Sequence, residues 1–143
     1  METLGRLCFL AAAVVVCCTS SVETRARSVS DTWLALIDRG DHDEAWQLTA
    51  MPLRLKVGRQ RWEATVRDLR NHGAVQSRKF LDVGFDTEPF KMPPGDYIVV
   101  RYETEFANEN AVEVVVLVSD SSGAWKVAEY LWYGREWFVV RPR

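Results

Sequence analysis

The stretch YIVVRYETEF, residues 97–106, decides the fold that this sequence predicts. One set of alternate positions carries Ile98, Val100, Tyr102, Thr104 and Phe106, and the other carries Val99, Arg101, Glu103 and Glu105. Successive side chains of a β-strand point to opposite faces of a sheet. An antiparallel sheet commonly packs one face on the core and leaves the other to solvent. The alternation therefore predicts a half-buried antiparallel strand.

Four further stretches have strand character. Residues 111–119, AVEVVVLVS, are apolar on both faces apart from Glu113, which predicts a central strand. The remaining candidates are SRKFLDVGF (77–85), WKVAEYLW (125–132) and EWFVVR (136–141). Turn residues separate them, notably Pro94-Gly95 and residues 108–110. In the stretch 125–132 we expect the core-facing side chains to be Trp125, Val127 and Leu131. Glu129 falls in the same register, and a buried carboxylate is costly there unless a bulge shifts Glu129 to the other face.

The first half of the chain has helical periodicity. Ser28 with Asp31 predicts a capping box that opens a first helix ending at Gly40. Asp41 with Glu44 predicts a second helix, which ends before Pro52. A third helix is predicted within residues 53–72, with Gly58 weakening its first turns. Helices followed by a run of strands predict an α+β domain with N-terminal helices on a curved antiparallel sheet of four to five strands.

The N-terminus has the pattern of a secretory signal. Residues 7–18 are an unbroken apolar run, which as a helix spans only about 18 Å of a core about 30 Å thick. Small polar residues follow it. We expect a signal peptide over 1–21, a short segment over 22–28 and one domain over 29–143. Cleavage after Ser20 or Ala26 and an uncleaved anchor are the alternatives.

The composition excludes several classes of function. All three cysteines, Cys8, Cys17 and Cys18, lie in the leader, so the predicted mature chain has no disulfide or thiolate site. A lipid anchor at the Cys17-Cys18 pair is disfavoured, because a small residue does not precede either cysteine. The net charge of −2 argues against a nucleic-acid partner. We expect no cofactor, and membrane contact only through the leader or such an anchor.

The order and spacing of several motifs resemble one bacterial exported family. The motifs are W-L-x-L-I-D-x-G-D-x-x-x-A-W, Trp62 with V-x-S-R at 75–78, P-P-G-D-Y-I-V-V-x-Y-E-T-x-F, and G-x-W-K-V-x-x-Y. The chain resembles, over roughly 29–133, the family known as domain of unknown function 4019. That resemblance implies an envelope protein with the cone of cystatin-like, nuclear-transport-factor-two-like folds. It implies no catalytic residue, and Glu129 stands where the family often has glycine.

Strand carboxylates are the main candidates for chemistry. Glu103, Glu105, Glu113 and Glu129 lie on three predicted strands, with Arg78 and Arg101 as potential partners. A carboxylate with a raised pKa inside a cone would suit general acid/base catalysis. Cross-strand ion pairs on a solvated face, worth about 0.2–1 kcal/mol each, are the favoured interpretation.

Other charged residues have weaker signals. His42 and His72 are expected to be solvated residues at helix ends rather than metal ligands. A cluster of positive charges precedes Trp62 and consists of Arg54, Lys56, Arg59 and Arg61. One interpretation is contact with an anionic lipid headgroup or an acidic partner, and the favoured one is a solvated helix face.

Two functional hypotheses follow. The first is a non-catalytic ligand-binding or protein-interaction module of the periplasm or envelope, and the second is a small isomerase- or dehydratase-like enzyme. The binding residues predicted are Glu129, Tyr130, Trp132, Trp137, Arg78 and Glu103. A homodimer through the sheet or the aromatic C-terminal tail is the expected partner, with another protein or small molecule as the alternative.

Overall fold

The computed structural model describes residues 9–134, and side chains from residue 22 onward. Its helices are α1 (Phe9–Arg39), α2 (His42–Gln47), α3 (Met51–Val57) and α4 (Arg59–Leu69), and a short 3₁₀ turn spans Pro89–Lys91. Its strands are β1 (Val75–Asp86), β2 (Tyr97–Phe106), β3 (Asn110–Ser119) and β4 (Trp125–Tyr133). The predicted strand over 136–141 lies outside the described residues.

Helix α1 begins well before the predicted capping box at Ser28. The Ser28 side chain is exposed in the helix interior, and the Ser28 carbonyl accepts a hydrogen bond from the Thr32 hydroxyl at 2.8 Å. The prediction was wrong because the apolar stripe continues upstream through Val22, Ala26 and Val29, all of which pack on the core. The predicted end is confirmed, since Gly40 follows α1 with a φ of 75°.

The middle helices differ from the prediction at two positions. Pro52 does not follow a helix but occupies the first turn of α3, where its missing N–H costs nothing. Gly58, with φ 76° and ψ 144°, separates α3 from α4, so the predicted third helix is two helices. Asp41 does precede α2, but its side chain makes no capping hydrogen bond.

The four strands form one antiparallel sheet in the order β1-β2-β3-β4, with the helices packed against one face. The predicted α+β class is thereby confirmed. On the helix-facing side the core contains Trp33 and Trp62 from helices and Ile98, Val115 and Val127 from strands. The other face carries a second apolar cluster, which includes Val99, Val112, Val114, Val116 and Ala128. The central position of β3, buried on both faces, is confirmed.

A bulge in β4 changes which side chains reach the helices. Val116 pairs with Glu129, whereas the adjacent Leu117 pairs with Val127, so Ala128 is the extra residue. Leu131 consequently packs in the second cluster, not in the core beneath the helices as predicted. Tyr130 takes that place and its ring centroid lies 5.5 Å from that of Trp33.

The outer edge of β4 is paired with the segment between α2 and α3. Thr49 forms a parallel bridge with Val127, the Ala50 N–H donates to the Val127 carbonyl at 2.7 Å, and the Val127 N–H donates to the Leu48 carbonyl at 2.8 Å. This pairing fixes α3 beside β4. Among the helices searched within the described part of the chain, none is both long and apolar enough to cross a membrane.

Candidate functional site

A buried ion pair joins β1 to β3 on the helix-facing side of the sheet. Glu113 is only 2% exposed, and its register partner on β2 is the core residue Tyr102. The Arg78 guanidinium donates from Nε to Glu113 Oε2 at 2.6 Å and from Nη2 to Oε1 at 3.2 Å. This fork geometry matches the two carboxylate oxygens and is the strongest form of the interaction.

Asp38 of α1 holds the other side of the same guanidinium. Arg78 Nη1 donates to Asp38 Oδ2 at 2.7 Å, and Nη2 donates to Oδ1 at 3.2 Å. Arg78 therefore bridges the C-terminal turn of α1 and the centre of the sheet. One cation between two carboxylates leaves this cluster with a formal charge of −1.

Two hydroxyl groups complete the shell around Glu113. The Thr104 hydroxyl on β2 donates to Oε2, and the Tyr130 hydroxyl on β4 donates to Oε1 at 2.8 Å. Each strand thus contributes one polar side chain. We call Asp38, Arg78, Thr104, Glu113 and Tyr130 together the polar row.

The pKa shifts in the polar row favour the protonation states that make these bonds. Burial alone lowers the pKa of Arg78, but hydrogen bonds to Asp38 and Glu113 outweigh it and raise the pKa above its ordinary value. Burial raises the pKa of Tyr130 well above its ordinary value, and the adjacent charge of Glu113 adds to the shift. Tyr130 consequently remains a neutral donor to Glu113 at neutral pH.

The polar row is built to hold charges in place rather than to move protons. Glu113 accepts four hydrogen bonds, so a proton could reach either oxygen only after a donor had left. Breaking a buried pair of this kind is costly. The arrangement therefore fixes α1 on the sheet and positions Asp38 at the end of the helix layer.

A cleft of about 370 Å³ opens beside Asp38. Its lining combines charged and amide side chains of α4 and the following turn with an apolar wall, and consists of Asp38, Arg67, Leu69, Arg70, Asn71, Gly73, Ala74, Val75 and Phe106. The Arg70 guanidinium is exposed and lies against the backbone of Gly40, where a Cβ atom would approach Nη1 to 2.6 Å. Among the described residues, Arg70 has no carboxylate within ion-pair distance.

His72, in the turn after α4, is not the solvated residue that was predicted, since its side chain is only 26% exposed. Its Nδ1 lies 2.5 Å from Glu109 Oε1, and its ring stacks on Trp132 with a centroid distance of 4.3 Å and an interplanar angle of 11°. The centroid of the Phe106 ring lies 5.7 Å from that of His72. His72 thereby connects the turn after α4 to the β2–β3 hairpin and to β4.

The residues predicted for binding are distributed over three places. Arg78 and Tyr130 meet on Glu113, whereas Glu129 accepts a 2.7 Å bond from Lys56 of α3. Trp132 contacts His72, and Trp137 lies outside the described residues. Glu103 pairs in register with Val112, a member of the second cluster, and so lies on the opposite face of the sheet from the polar row.

Asp38 and Thr104 were not singled out from the sequence. A signal existed for Thr104, since it follows Tyr102 on the apolar face of β2 and a buried hydroxyl requires a partner. Asp38 gave no such signal, because an aspartate in the last turn of an amphipathic helix is ordinarily solvated. Glu113 was noticed as the one charge in an apolar strand and Arg78 as a potential partner. The favoured interpretation, an ion pair on a solvated face, was wrong for Glu113, which is buried where it pairs with Arg78.

The positively charged residues predicted before Trp62 do not form a site of their own in the described structure. The Arg54 guanidinium donates to the Trp46 carbonyl at 2.6 Å, and Arg59 pairs with Asp43, whose pKa the hydrogen bond from Arg59 lowers. Arg61 has no ion-pair partner among the described residues. No group of three or more histidine, cysteine or acidic side chains in the described region has the arrangement to hold a metal ion.

Comparison with known proteins identifies the family. A family profile described as "Protein of unknown function (DUF4019)" matches residues 29–130, which is more than half of the chain. The chain belongs to the DUF4019 family. The DUF4019 match extends from α1 into β4 and includes every member of the polar row. No curated protein and no solved structure matches the chain, so the expected likeness to a cystatin-like cone stays a prediction.

Proposed function

We propose that this DUF4019 protein is exported to the bacterial envelope and is a non-catalytic binding domain for a small organic anion. The observation that supports the proposal is the cleft beside Asp38, where two arginines border an apolar wall. Its volume of about 370 Å³ lies in the range of small-molecule sites, which combine apolar lining with a few polar groups.

The charges at the cleft favour an anionic ligand. Asp38, the one carboxylate among the described residues of the lining, is already held by both Nη atoms of Arg78. Arg70 has no ion-pair partner among the described residues, and Arg67 has only the exposed Glu63 at 3.3 Å. Guanidinium groups bind carboxylates with two parallel hydrogen bonds. A carboxylate or similar group near Arg70 would therefore replace only solvent.

The apolar wall indicates the rest of the ligand. Leu69, Val75 and Phe106 line the same cleft as the two arginines. A compact aliphatic or aromatic acid would place its apolar body on these side chains and its charge on Arg70. The alternative function, general acid/base catalysis, has less support because the buried Glu113 has no free lone pair directed at the cleft.

Native mass spectrometry of the protein recovered from its own envelope tests the proposal. We expect additional mass on the wild-type chain that disappears on denaturation, and we expect Arg70→Gln to lose it. Arg61→Gln is the matched control, since Arg61 is also an exposed arginine without an ion-pair partner among the described residues but lies outside the cleft. A bare wild-type chain, or equal occupancy in both variants, would contradict an anion site at Arg70.

A further inference from the structure

Four large apolar side chains are exposed in the part of the chain whose side chains are described. They form two pairs in separate places: Met51 and Leu55 on α3, exposed by 62% and 78%, and Phe85 and Phe90 around the β1–β2 connection, exposed by 57% and 40%. Single exposed apolar residues are ordinary, whereas exposed apolar residues grouped inside a polar rim are typical of interaction surfaces.

The first pair lies among positive charges. Residues 51–61, MPLRLKVGRQR, contain four cations and no carboxylate. Glu129 and Asp43 neutralise Lys56 and Arg59, so two positive charges remain in excess. Met51 and Leu55 are one helical turn apart and project from the same side of α3, opposite the buried Leu53. We call residues 51–61 the α3 patch.

The second pair lies among negative charges. Residues 85–96, FDTEPFKMPPGD, contain three carboxylates and one lysine, which leaves two negative charges in excess. Phe85, Asp86, Thr87, Asp96 and Tyr97 line a shallow cleft of about 280 Å³. We call residues 85–96 the loop patch.

The backbone of the loop patch is itself unusual. Phe90 and Lys91 have φ values of 52° and 63°, which places two consecutive non-glycine residues in the left-handed region. Such conformations persist only where the surrounding structure enforces them, and they cluster at functional sites. Phe90 combines this backbone conformation with a side chain that is 40% exposed.

The two patches are at opposite edges of one sheet. The loop patch continues from the end of β1, and the α3 patch is attached to β4 through the 2.7 Å bond between Lys56 and Glu129. The sheet order separates these outer strands by three interstrand spacings, or about 14 Å. Because the sheet holds the two patches apart within one chain, they can contact each other only between two chains.

We propose that the α3 patch of one copy binds the loop patch of a second copy. Leu55 enters the shallow cleft beside Phe85, and the excess positive charge of α3 faces Asp86, Glu88 and Asp96. The interface is heterologous, because the two copies use different surfaces. Association therefore continues head to tail, and salt weakens it because the charges are exposed.

Charge reversal in two complementary variants tests this interface. Gln60→Glu with Arg61→Glu makes the α3 patch acidic, and Glu88→Lys with Asp96→Lys makes the loop patch basic. All four side chains are exposed. The two glutamates introduced at positions 60 and 61 lie in the first turn of α4, where negative charge stabilises the helix. Sedimentation velocity at low ionic strength, over a series of protein concentrations, measures association of the protein recovered from the envelope.

The expected results are specific to a head-to-tail interface. The wild type associates with increasing concentration, and each double variant alone is weakened at least about tenfold in its dissociation constant, equivalent to about 1.4 kcal/mol. An equimolar mixture of the two variants associates again, because each acidic patch then meets a basic one. Leu55→Ser weakens association without changing the charge.

Matched controls separate this interface from general charge effects. Glu44→Lys with Asp68→Lys makes the same change in net charge as the basic loop variant, but at exposed positions outside both patches, and leaves association unchanged. A wild type that stays monomeric at every concentration, or a mixture that does not regain association, overturns the proposal. Binding of a monomeric wild type to phosphatidylglycerol vesicles through Leu55 would also overturn it, by assigning the α3 patch to lipid.

Discussion

Glu113 carries a negative charge that is buried between the sheet and the helices. Hydrogen bonds from neighbouring side chains replace those that its carboxylate would make with water. Four donors from three strands occupy its oxygens, and Arg78 carries the charge onward to Asp38 on α1. Replacing such a network by apolar residues can be neutral, whereas removing one member leaves the others buried without a partner. The polar row therefore acts as a unit in stability.

We expect Glu113→Gln to lower the free energy of unfolding by about 3–5 kcal/mol, because the Arg78 cation remains buried with half of its partners removed. Urea denaturation followed by tryptophan fluorescence measures the change. Glu103→Gln is the matched control on the opposite face of the neighbouring strand and should change stability by less than about 0.5 kcal/mol. Equal effects at both positions would show that Glu113 is not held as described.

Alkaline pH should destabilise the protein through two tyrosines, the buried Tyr102 and the partly buried Tyr130. Burial raises the pKa of Tyr130, and burial together with the hydrogen bond to Asp31 raises that of Tyr102. Above about pH 10 the unfolded chain loses protons that the folded chain keeps. Stability is thus complete below pH 10 and falls as the pH rises further.

Thermal unfolding measures this loss of stability. The measurements are made between pH 8 and pH 11 in steps of roughly one pH unit, which bracket the ordinary tyrosine pKa of about 10. Tyr130→Phe removes one of the two groups, so we expect the variant to be less stable at neutral pH but to lose less stability above pH 10. A wild type and variant with parallel pH profiles would contradict a raised pKa at Tyr130.

The strands could be predicted from the sequence because their patterns are local. The alternation in 97–106 and the continuous apolar run in 111–119 identified β2 and β3 to within a residue. The polar row could be predicted only in part, since contacts between Asp38 and Arg78 depend on how α1 crosses the sheet. No pattern in either segment carries that information.

The misplaced elements have specific physical causes. Ser28 and Asp31 satisfy the sequence pattern of a capping box, but the apolar stripe through Ala26 buries enough surface to continue the helix past them. The β4 bulge at Ala128 shifts Leu131 to the other face. The charge of Glu129 in an apolar register was its one trace in the sequence, and it did not indicate at which residue the register changes.

Gly58 separates α3 from α4 by its backbone conformation alone. A Cβ atom there would meet no atom within 4 Å, but φ 76° with ψ 144° is a region that only glycine adopts readily. We expect Gly58→Ala to lower the free energy of unfolding by about 1–3 kcal/mol. Gly84→Ala, also in open space but without a positive φ, should change stability far less, and urea denaturation compares the two. A similar cost at both positions would contradict the backbone explanation.

The proposed export of the protein can be tested through its signal peptide over residues 1–21. We expect the chain recovered from the envelope to begin at Val22, as measured by intact mass against the 16.4 kDa of the 143 residues. Val14→Arg places a charge within the apolar run and should block export, so that the uncut chain stays in the cytoplasm. Thr24→Arg, a charge outside the run, is the control. Secretion of uncut Val14→Arg would exclude a signal peptide over 1–21.

The pairing of residues 48–50 with β4 leaves the sheet with one unpaired outer strand among those described, and that strand, β1, is a poor template for further strands. β1 is interrupted by two register shifts and carries Arg78, Lys79 and Asp82 along its length. Strand-by-strand growth into cross-β fibrils is therefore disfavoured at both sides of the sheet. Reversible contacts between side chains, such as those proposed between the α3 patch and the loop patch, then carry a lower risk of conversion to amyloid.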